Sequence, residues 1–224
     1  MSPAPESTAN AGAVRVASAG VALREARAVV ILTHGRNASP ENILDLVPRL
    51  DRHDVAYLAP AAPGRTWYPQ SFMAETAANE PSLSASLRVL PALVDQVANA
   101  GIARDRIVLM GFSQGACLTA ESAVRHAARY GGIVLFTGGL IGPPGTSWPY
   151  SGSFDSTPVF LGCSDVDPHV PLSRVEESAE VFRRMGADVT MRIYPGMAHV
   201  VNDDEIAFAQ RILDGARGDV RVTG

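Results

Sequence analysis

The chain has few of the features that mark disulfide-rich, nucleic-acid-binding or membrane-spanning proteins. It contains two cysteines, Cys117 and Cys163, and no Cys-x-x-Cys pair, so we expect two packed thiols and no disulfide framework. The 19 basic residues are outnumbered by 23 acidic ones, and no basic run would attract nucleic acid or an anionic membrane. The longest apolar run, residues 28–33, is far too short to cross a bilayer. We therefore expect neither a nucleic-acid partner nor stable membrane insertion.

The two ends of the chain differ from the part between them. Residues 1–13 are rich in Ala, Ser and Pro and lack the basic start and apolar core of a signal peptide, so we interpret them as a flexible tail and expect a cytoplasmic protein. Residues 217–224 are interpreted as a C-terminal tail. The hydrophobic content of 46% supplies enough apolar material for one large domain, which we assign to residues 14–216.

Short apolar runs alternate with helical patterns along this domain. Six runs have the length and apolar character of strands: residues 28–33, 55–59, 106–110, 132–136, 158–162 and 188–194. Residues 14–23 alternate weakly and suit one or two edge strands. Helical patterns separate most of these runs, and that alternation predicts an α/β fold with a mostly parallel sheet and helices on both faces.

One motif organises the candidate site. Gly-Phe-Ser-Gln-Gly at residues 111–115 follows the apolar run 106–110 and precedes an alanine-rich stretch, 116–129, with helical character. This strand, turn and helix context is that of a nucleophile elbow, in which glycines two residues before and after leave room for a strained serine. Ser113 is the candidate nucleophile. The alternative is a glycine-rich turn whose serine only caps the following helix.

A serine nucleophile needs a base and an orienting acid. In hydrolases with this elbow, the acid and then the histidine follow the serine along the chain. His199 lies between the last predicted strand and the last helix, at the sheet edge where the base belongs, whereas His169 is interpreted as a loop or pocket residue. Asp165 and Asp167 both follow the strand 158–162, and we favour Asp167 while leaving Asp165 open.

An oxyanion hole requires two backbone donors. The amide of Gln114 opens the helix after the serine, and the amide of Arg36 lies in the His-Gly-Arg segment after the strand 28–33, where the second donor is expected. The Arg36 side chain has two interpretations, contact with an anionic substrate or simple solvation.

Two long irregular stretches, residues 60–81 and 137–157, are candidates for the walls of a pocket.

Four segments together resemble the phospholipase/carboxylesterase family, which includes the acyl-protein thioesterases. They are Thr-His-Gly at residues 33–35, Gly-Phe-Ser-Gln-Gly-Ala at 111–116, Asp-Pro-His-Val-Pro at 167–171 and Tyr-Pro-Gly-Met-Ala-His at 194–199. The resemblance covers residues 28–214 and implies the α/β-hydrolase fold. It implies a catalytic triad of Ser113, Asp167 and His199, and oxyanion donors at Arg36 and Gln114. Trp67 and Tyr68 resemble the aromatic pair that the family has near its active site.

We therefore expect a serine carboxylesterase that acts on small to medium esters through an acyl-enzyme intermediate and needs no cofactor or metal. The alternatives are a thioesterase or lysophospholipase of the same family, and a non-catalytic binding protein on the same fold. The expected pocket residues come from the two long stretches and the turn after Asp167: Trp67, Tyr68, Phe72, Met73, Leu140, Ile141 and His169. An apolar rim near Trp67 or Leu140 would suit contact within a homodimer.

Overall fold

The computed structural model describes residues 14–218, so the tail predicted at residues 1–13 and the last six residues lie outside the described part. A seven-stranded sheet with the order β1-β3-β2-β4-β5-β6-β7 forms the centre of the molecule. Every pairing is parallel except that of β1 with β3. The strands in chain order are β1 Val16–Gly20, β2 Ala28–Thr33, β3 Val55–Pro60, β4 Ile107–Phe112, β5 Gly132–Phe136, β6 Pro158–Ser164 and β7 Asp188–Tyr194.

Burial along the strands follows their position in the sheet. All residues of β2 and β5 are buried, as expected of strands that are covered by helices on both faces. The edge strands β1 and β7 alternate between exposed and partly buried residues. The predicted edge position of residues 188–194 is confirmed, and the weak pattern in residues 14–23 corresponds to one antiparallel edge strand.

Helices cover both faces of the sheet. They are α1 Pro40–Leu44, α2 Val47–Leu50, α3 Ser82–Leu87, α4 Val89–Asn99, α5 Gln114–Arg125, α6 Leu172–Arg184 and α7 Asp203–Ala216. Buried residues of α3 to α6 belong to one apolar core, and buried residues of α1, α2 and α7 belong to a second core on the opposite face. The predicted mostly parallel sheet between two helical layers is confirmed.

Two prolines coincide with breaks between consecutive helices. A proline ring inside a helix collides with the carbonyl group four residues earlier. For Pro48 that residue is Leu44, where α1 ends, and for Pro91 it is Leu87, where α3 ends. The helix after the serine begins at Gln114, two residues earlier than predicted, and stops at Arg125.

The ends of the parallel strands determine where the loops meet. The carboxyl ends of β2, β4, β6 and β7 lie at one edge of the sheet, because these four strands run in the same direction. Thr33 at the end of β2 is in register with Gly111 near the end of β4. The segments that carry the candidate catalytic residues therefore leave the sheet at a common edge, where ligands bind in open α/β sheets.

Candidate active site

Ser113 occupies a strained turn between β4 and α5. Its backbone angles are φ 55° and ψ −122°, a conformation that L-residues rarely adopt and that concentrates at functional sites. The turn leaves no space for side chains on either flank. A Cβ at Gly111 would lie 2.6 Å from Thr33 Oγ1, and one at Gly115 would lie 2.2 Å from the Thr33 carbonyl oxygen. These glycines let α5 approach β2 closely enough to form the elbow.

Three side chains from three loops form a continuous hydrogen-bonded chain. Ser113 Oγ lies 2.9 Å from His199 Nε2, and His199 Nδ1 lies 2.7 Å from Asp167 Oδ2. The side chain of Asp167 is fully buried and that of His199 is one-fifth exposed. The structure thus brings together the three residues predicted as nucleophile, base and acid.

The Asp167 carboxylate is stabilised in its charged form. Burial acts to raise its pKa, but hydrogen bonds from the His199 ring and from the backbone amides of His169 and Val170 outweigh that effect, and the net pKa is lowered. Both amides donate to Oδ1 at 2.9 Å, which leaves Oδ2 for His199. An ionised Asp167 fixes a proton on His199 Nδ1, so that Nε2 faces the serine as an acceptor.

Asp165, the alternative acid, has a different partner. Its Oδ1 accepts a hydrogen bond of 2.8 Å from the backbone amide of Gly196, in the turn that leads to His199. Asp165 therefore connects the loop after β6 to the loop after β7 without contacting the imidazole.

Two aromatic rings pack against the imidazole of His199. Phe112 lies at a centroid distance of 4.9 Å, tilted by 41°, and His169 approaches edge-on at 4.9 Å. The role of Phe112 was not anticipated from the sequence, although its position directly before the serine in the elbow was the available signal. Both rings restrict the imidazole to the orientation that reaches Ser113.

The two expected oxyanion donors lie beside the serine. Gly35 packs against Ser113, since a Cβ on Gly35 would lie 3.5 Å from Ser113 Cβ, and Arg36 follows it. Gln114 is the first residue of α5, where amides lack an intrahelical acceptor. Within residues 14–218, neither amide donates to a backbone carbonyl outside the regular helix and strand bonds.

The Gln114 side chain has a structural role that the sequence did not reveal. Its Oε1 accepts from the amide of Trp67 at 3.0 Å, and its Nε2 donates to the Tyr68 carbonyl at 2.8 Å. The amide side chain therefore pairs with the backbone of residues 67–68 as a neighbouring strand would. This fastens the first long loop to the elbow.

His34 braces the same loop from the other side. Its Nε2 accepts from the amide of Ala62 at 3.1 Å, and its Nδ1 lies 2.8 Å from the Gly35 carbonyl. Burial lowers the pKa of His34, in agreement with a neutral ring that donates from Nδ1. The Trp67 indole donates to the His34 carbonyl at 2.8 Å. Trp67 is thus directed into the interior.

A cavity of about 500 Å³ opens at Ser113 and His199. Of the pocket residues predicted from the sequence, Tyr68, Phe72 and His169 line it. Further residues line it that are not among the predicted pocket residues. They come from the loops after β2, β3 and β6 and from α5: Asn37, Ala38, Pro69, Gln70, Ser71, Cys117 and Val170. Cys117 is also buried, as predicted for a packed thiol, and burial raises its pKa to about 12.

Four residues that were expected to wall the pocket do not line this cavity: Trp67, Met73, Leu140 and Ile141. The second long loop is held elsewhere by two buried charged side chains. Arg174 donates to the Leu140 carbonyl at 2.9 Å, and Glu121 accepts from the Ile141 amide at 3.2 Å. Trp67 and Leu140 are fully buried, so neither supplies the exposed apolar rim that was expected to suit a homodimer.

Within residues 14–218, no group of three or more His, Cys, Asp or Glu side chains is arranged to hold a metal ion. In the same range, none of the helices combines the length and the apolar character required to span a bilayer.

The chain is similar in sequence to a known protein family and to proteins of several fungi. A model of the phospholipase/carboxylesterase family matches residues 17–215. Acyl-protein thioesterase 1 of Debaryomyces hansenii is 30% identical over 133 residues, which are 58% of this chain and 56% of that protein. Acyl-protein thioesterase 1 of Eremothecium gossypii is 28% identical over 166 residues, 70% of this chain and 69% of that protein. The chain therefore matches between about half and just over two thirds of the length of these relatives.

A solved structure gives a more complete match. A phospholipase/carboxylesterase from Dyadobacter fermentans superposes with a TM-score of 0.86 at 40% identity, over 90% of this chain and 97% of that one. The predicted family and fold are confirmed. Because the family model covers almost all of the described residues and the elbow lies where the fold requires it, the chain belongs to the phospholipase/carboxylesterase family of serine hydrolases with the α/β-hydrolase fold.

Proposed function

We propose that the protein is a serine carboxylesterase that hydrolyses small to medium carboxylic acid esters through Ser113, His199 and Asp167. The observation that carries this proposal is the unbroken hydrogen-bonded chain from Ser113 Oγ through His199 to the buried Asp167 carboxylate. Ser, His and Asp in this order and geometry are the parts of a nucleophilic acyl-transfer site.

In the first half of the reaction, Ser113 Oγ attacks the carbonyl carbon of the ester and its proton passes to His199 Nε2, 2.9 Å away. The tetrahedral intermediate collapses as the bond from the carbonyl carbon to the alcohol oxygen breaks. His199 returns the proton to that oxygen, and the alcohol leaves. Asp167 stays ionised and stabilises the transient imidazolium.

In the second half, water replaces the alcohol. His199 Nε2 removes a proton from the water as its oxygen attacks the acyl carbon, and the bond to Ser113 Oγ then breaks. The same proton passes back to Ser113 Oγ, and the carboxylic acid is released. His199 thus acts as base and acid in each half reaction, which requires that Nδ1 remain protonated throughout.

The negative charge on the carbonyl oxygen develops in both halves. The amides of Arg36 and Gln114 are our candidates for the donors that stabilise it, each worth about 3 kcal/mol by analogy with other oxyanion holes. Two observations support this assignment. Both residues lie beside Ser113, and within residues 14–218 neither amide donates to a backbone carbonyl outside the regular helix and strand bonds.

The size of the cavity supports small to medium esters. About 500 Å³ lies in the lower half of the range for sites that bind small molecules. The cavity combines apolar walls from Tyr68, Phe72 and Val170 with a polar rim that includes Gln70 and His169. A small-molecule ester is therefore the proposed partner.

A thioesterase is the second candidate, because two relatives are named acyl-protein thioesterases. Thioesters and oxoesters pass through the same tetrahedral intermediate, so the triad does not separate them. A lysophospholipase of the same family would use the same residues on a larger substrate. A non-catalytic binding protein is disfavoured because it would have no need for a complete Ser113–His199–Asp167 chain.

A chain-length series of p-nitrophenyl esters and matching thioesters tests the proposal. We expect turnover of the acetate and butyrate esters, and a loss of kcat by about 10⁶ in Ser113→Ala, because the nucleophile is removed. Circular dichroism of the variant should match the wild type. Full activity in folded Ser113→Ala would refute the proposal, and a preference for thioesters would favour the second candidate.

A further inference from the structure

The cavity at Ser113 has an unusual charge composition for an acidic protein. The chain carries a net charge of −4, yet no Asp or Glu is among the described residues that line the cavity. The titratable side chains that line it include Arg36, His169 and His199. The cavity therefore presents a cation and no carboxylate to a substrate.

The Arg36 guanidinium is held in one orientation by neutral groups. Its Nη1 donates to the Pro69 carbonyl at 2.8 Å and makes a longer contact of 3.4 Å with Thr66 Oγ1. Its Nη2 donates to the Gln70 carbonyl at 2.6 Å, and the group lies 5.9 Å from the centre of the Tyr68 ring. These contacts fix the position of the charge without neutralising it.

Donor capacity remains on this guanidinium. Three contacts use three of its five N–H groups, which leaves Nε–H and one Nη2–H. Within residues 14–218, Arg36 forms no ion pair with a carboxylate, whereas Arg15, Arg49 and Arg104 are also exposed and pair with Glu41, Asp203 and Asp95. Arg36 is thus an oriented cation with free donors at the rim of the cavity.

The backbone places this cation on the wall of the cavity that also contains Ser113. Gly35 lies beside Ser113, and the side chain of the next residue, Arg36, extends to the carbonyls of Pro69 and Gln70, which line the cavity. A substrate whose carbonyl lies at Ser113 would therefore have its acyl or alcohol portion within the same cavity as the guanidinium.

We propose that the Arg36 side chain binds an anionic group of the substrate, a carboxylate or a phosphate, and that the enzyme prefers esters that carry one. This inference rests on the proposed esterase function. Planar carboxylates and phosphates suit the paired donors of a guanidinium, and charge-assisted hydrogen bonds are about twice as strong as neutral ones. The preference follows from binding to a group that the free enzyme leaves unpaired.

Matched ester pairs test this preference. On the acyl side, mono-p-nitrophenyl succinate and glutarate are compared with p-nitrophenyl butyrate and valerate. On the alcohol side, 4-acetoxybenzoate and 4-acetoxyphenyl phosphate are compared with phenyl acetate. We expect kcat/KM for the anionic member to exceed that of the neutral one by about tenfold or more in at least one arm. The excess should shrink as the salt concentration rises.

Variants assign the preference to this side chain. In Arg36→Gln the ratio of anionic to neutral kcat/KM should fall to near one, and Arg36→Lys, which keeps a charge but loses the paired donors, should retain part of it. The matched control is Arg65→Gln, since Arg65 is an exposed arginine of the neighbouring turn that does not line this cavity. Its ratio should equal that of the wild type.

The outcomes separate this inference from the proposed function. Hydrolysis of neutral esters with no anionic preference in any arm would overturn the role of Arg36 and leave the esterase intact. A preference that persists in Arg36→Gln would also overturn it. No hydrolysis of any ester by the wild type would remove the proposed function itself.

Discussion

Two buried carboxyl groups lie on either side of His199 in the sequence, and their surroundings are opposite. Asp167, in the turn after β6, accepts two backbone hydrogen bonds and one from His199, and its pKa is lowered. Glu205, in the first turn of α7, accepts one from Asn202, and burial raises its pKa to about 7. Its Oε1 has no hydrogen-bond partner among the described residues.

Burial acts to raise the pKa of both carboxyls, and only at Asp167 do hydrogen bonds outweigh it. Both groups lie close to Cys163, whose pKa is raised to about 12 mainly by burial and further by their negative charges. Only Asp167 has enough hydrogen-bond donors to remain ionised in that buried environment. Glu205 instead forms a capping box with Asn202 in the first turn of α7, and Gly162 leaves the space that its carboxyl fills.

Among changes to these two carboxyls, the largest effect should follow from removing the charge of Asp167. In Asp167→Asn, an amide in place of the carboxylate no longer enforces a proton on His199 Nδ1, and kcat should fall by about 10⁴. The measurement is steady-state hydrolysis of p-nitrophenyl butyrate at pH 7.5.

Asp165→Asn is the matched control for that experiment. Asp165 holds the Gly196 amide and does not touch the imidazole, so its neutral variant should lose no more than about tenfold in kcat through a looser His199 loop. If Asp165→Asn were far more damaging than Asp167→Asn, the assignment of the acid would be wrong.

A smaller effect, on stability, should follow from Glu205→Gln. Below pH 4.5 both the folded and the unfolded wild type hold the Glu205 proton. As the pH rises through 7, the unfolded chain releases it first, so the free energy of unfolding falls by about 3 kcal/mol, at about 1.4 kcal/mol per pKa unit. Glu205→Gln does not lose this free energy. Between pH 4.5 and pH 8, its free energy of unfolding relative to that of the wild type should therefore rise by about 3 kcal/mol.

Urea unfolding at both pH values measures this gain. Asp203→Asn provides the control, because it also replaces a carboxylate by an amide in the same helical turn, but at a fully exposed side chain. A Glu205→Gln variant whose stability relative to wild type is the same at both pH values would remove the contrast between the two carboxyls.

The sequence predicts those parts of the site that local constraints determine. Ser113 is recognisable because its turn demands glycines at 111 and 115, and His199 because it alone follows the last strand at the correct edge. The choice between Asp165 and Asp167 needed the family motif, since both follow β6 and only three-dimensional geometry shows which oxygen meets the imidazole.

The pocket walls could not be predicted in the same way. Both long loops have the length and composition of a wall, and no local pattern reveals that Gln114 fastens one of them to the elbow. The second loop is fixed by Arg174 and Glu121, two buried charges that amphipathic periodicity treats as surface residues. The helix breaks at Pro48 and Pro91, in contrast, follow from a local feature of the sequence. The proline ring clashes with the carbonyl group four residues earlier, and this clash explains each break.

The most direct test of the central claim is covalent labelling with a fluorophosphonate followed by peptide mapping. Such probes react with a serine whose oxygen is activated by a histidine, so the account predicts a single adduct per chain, on Ser113, and none in Ser113→Ala. An adduct on another serine, or a folded wild type that the probe leaves unmodified, would contradict the catalytic role of the Ser113–His199–Asp167 chain.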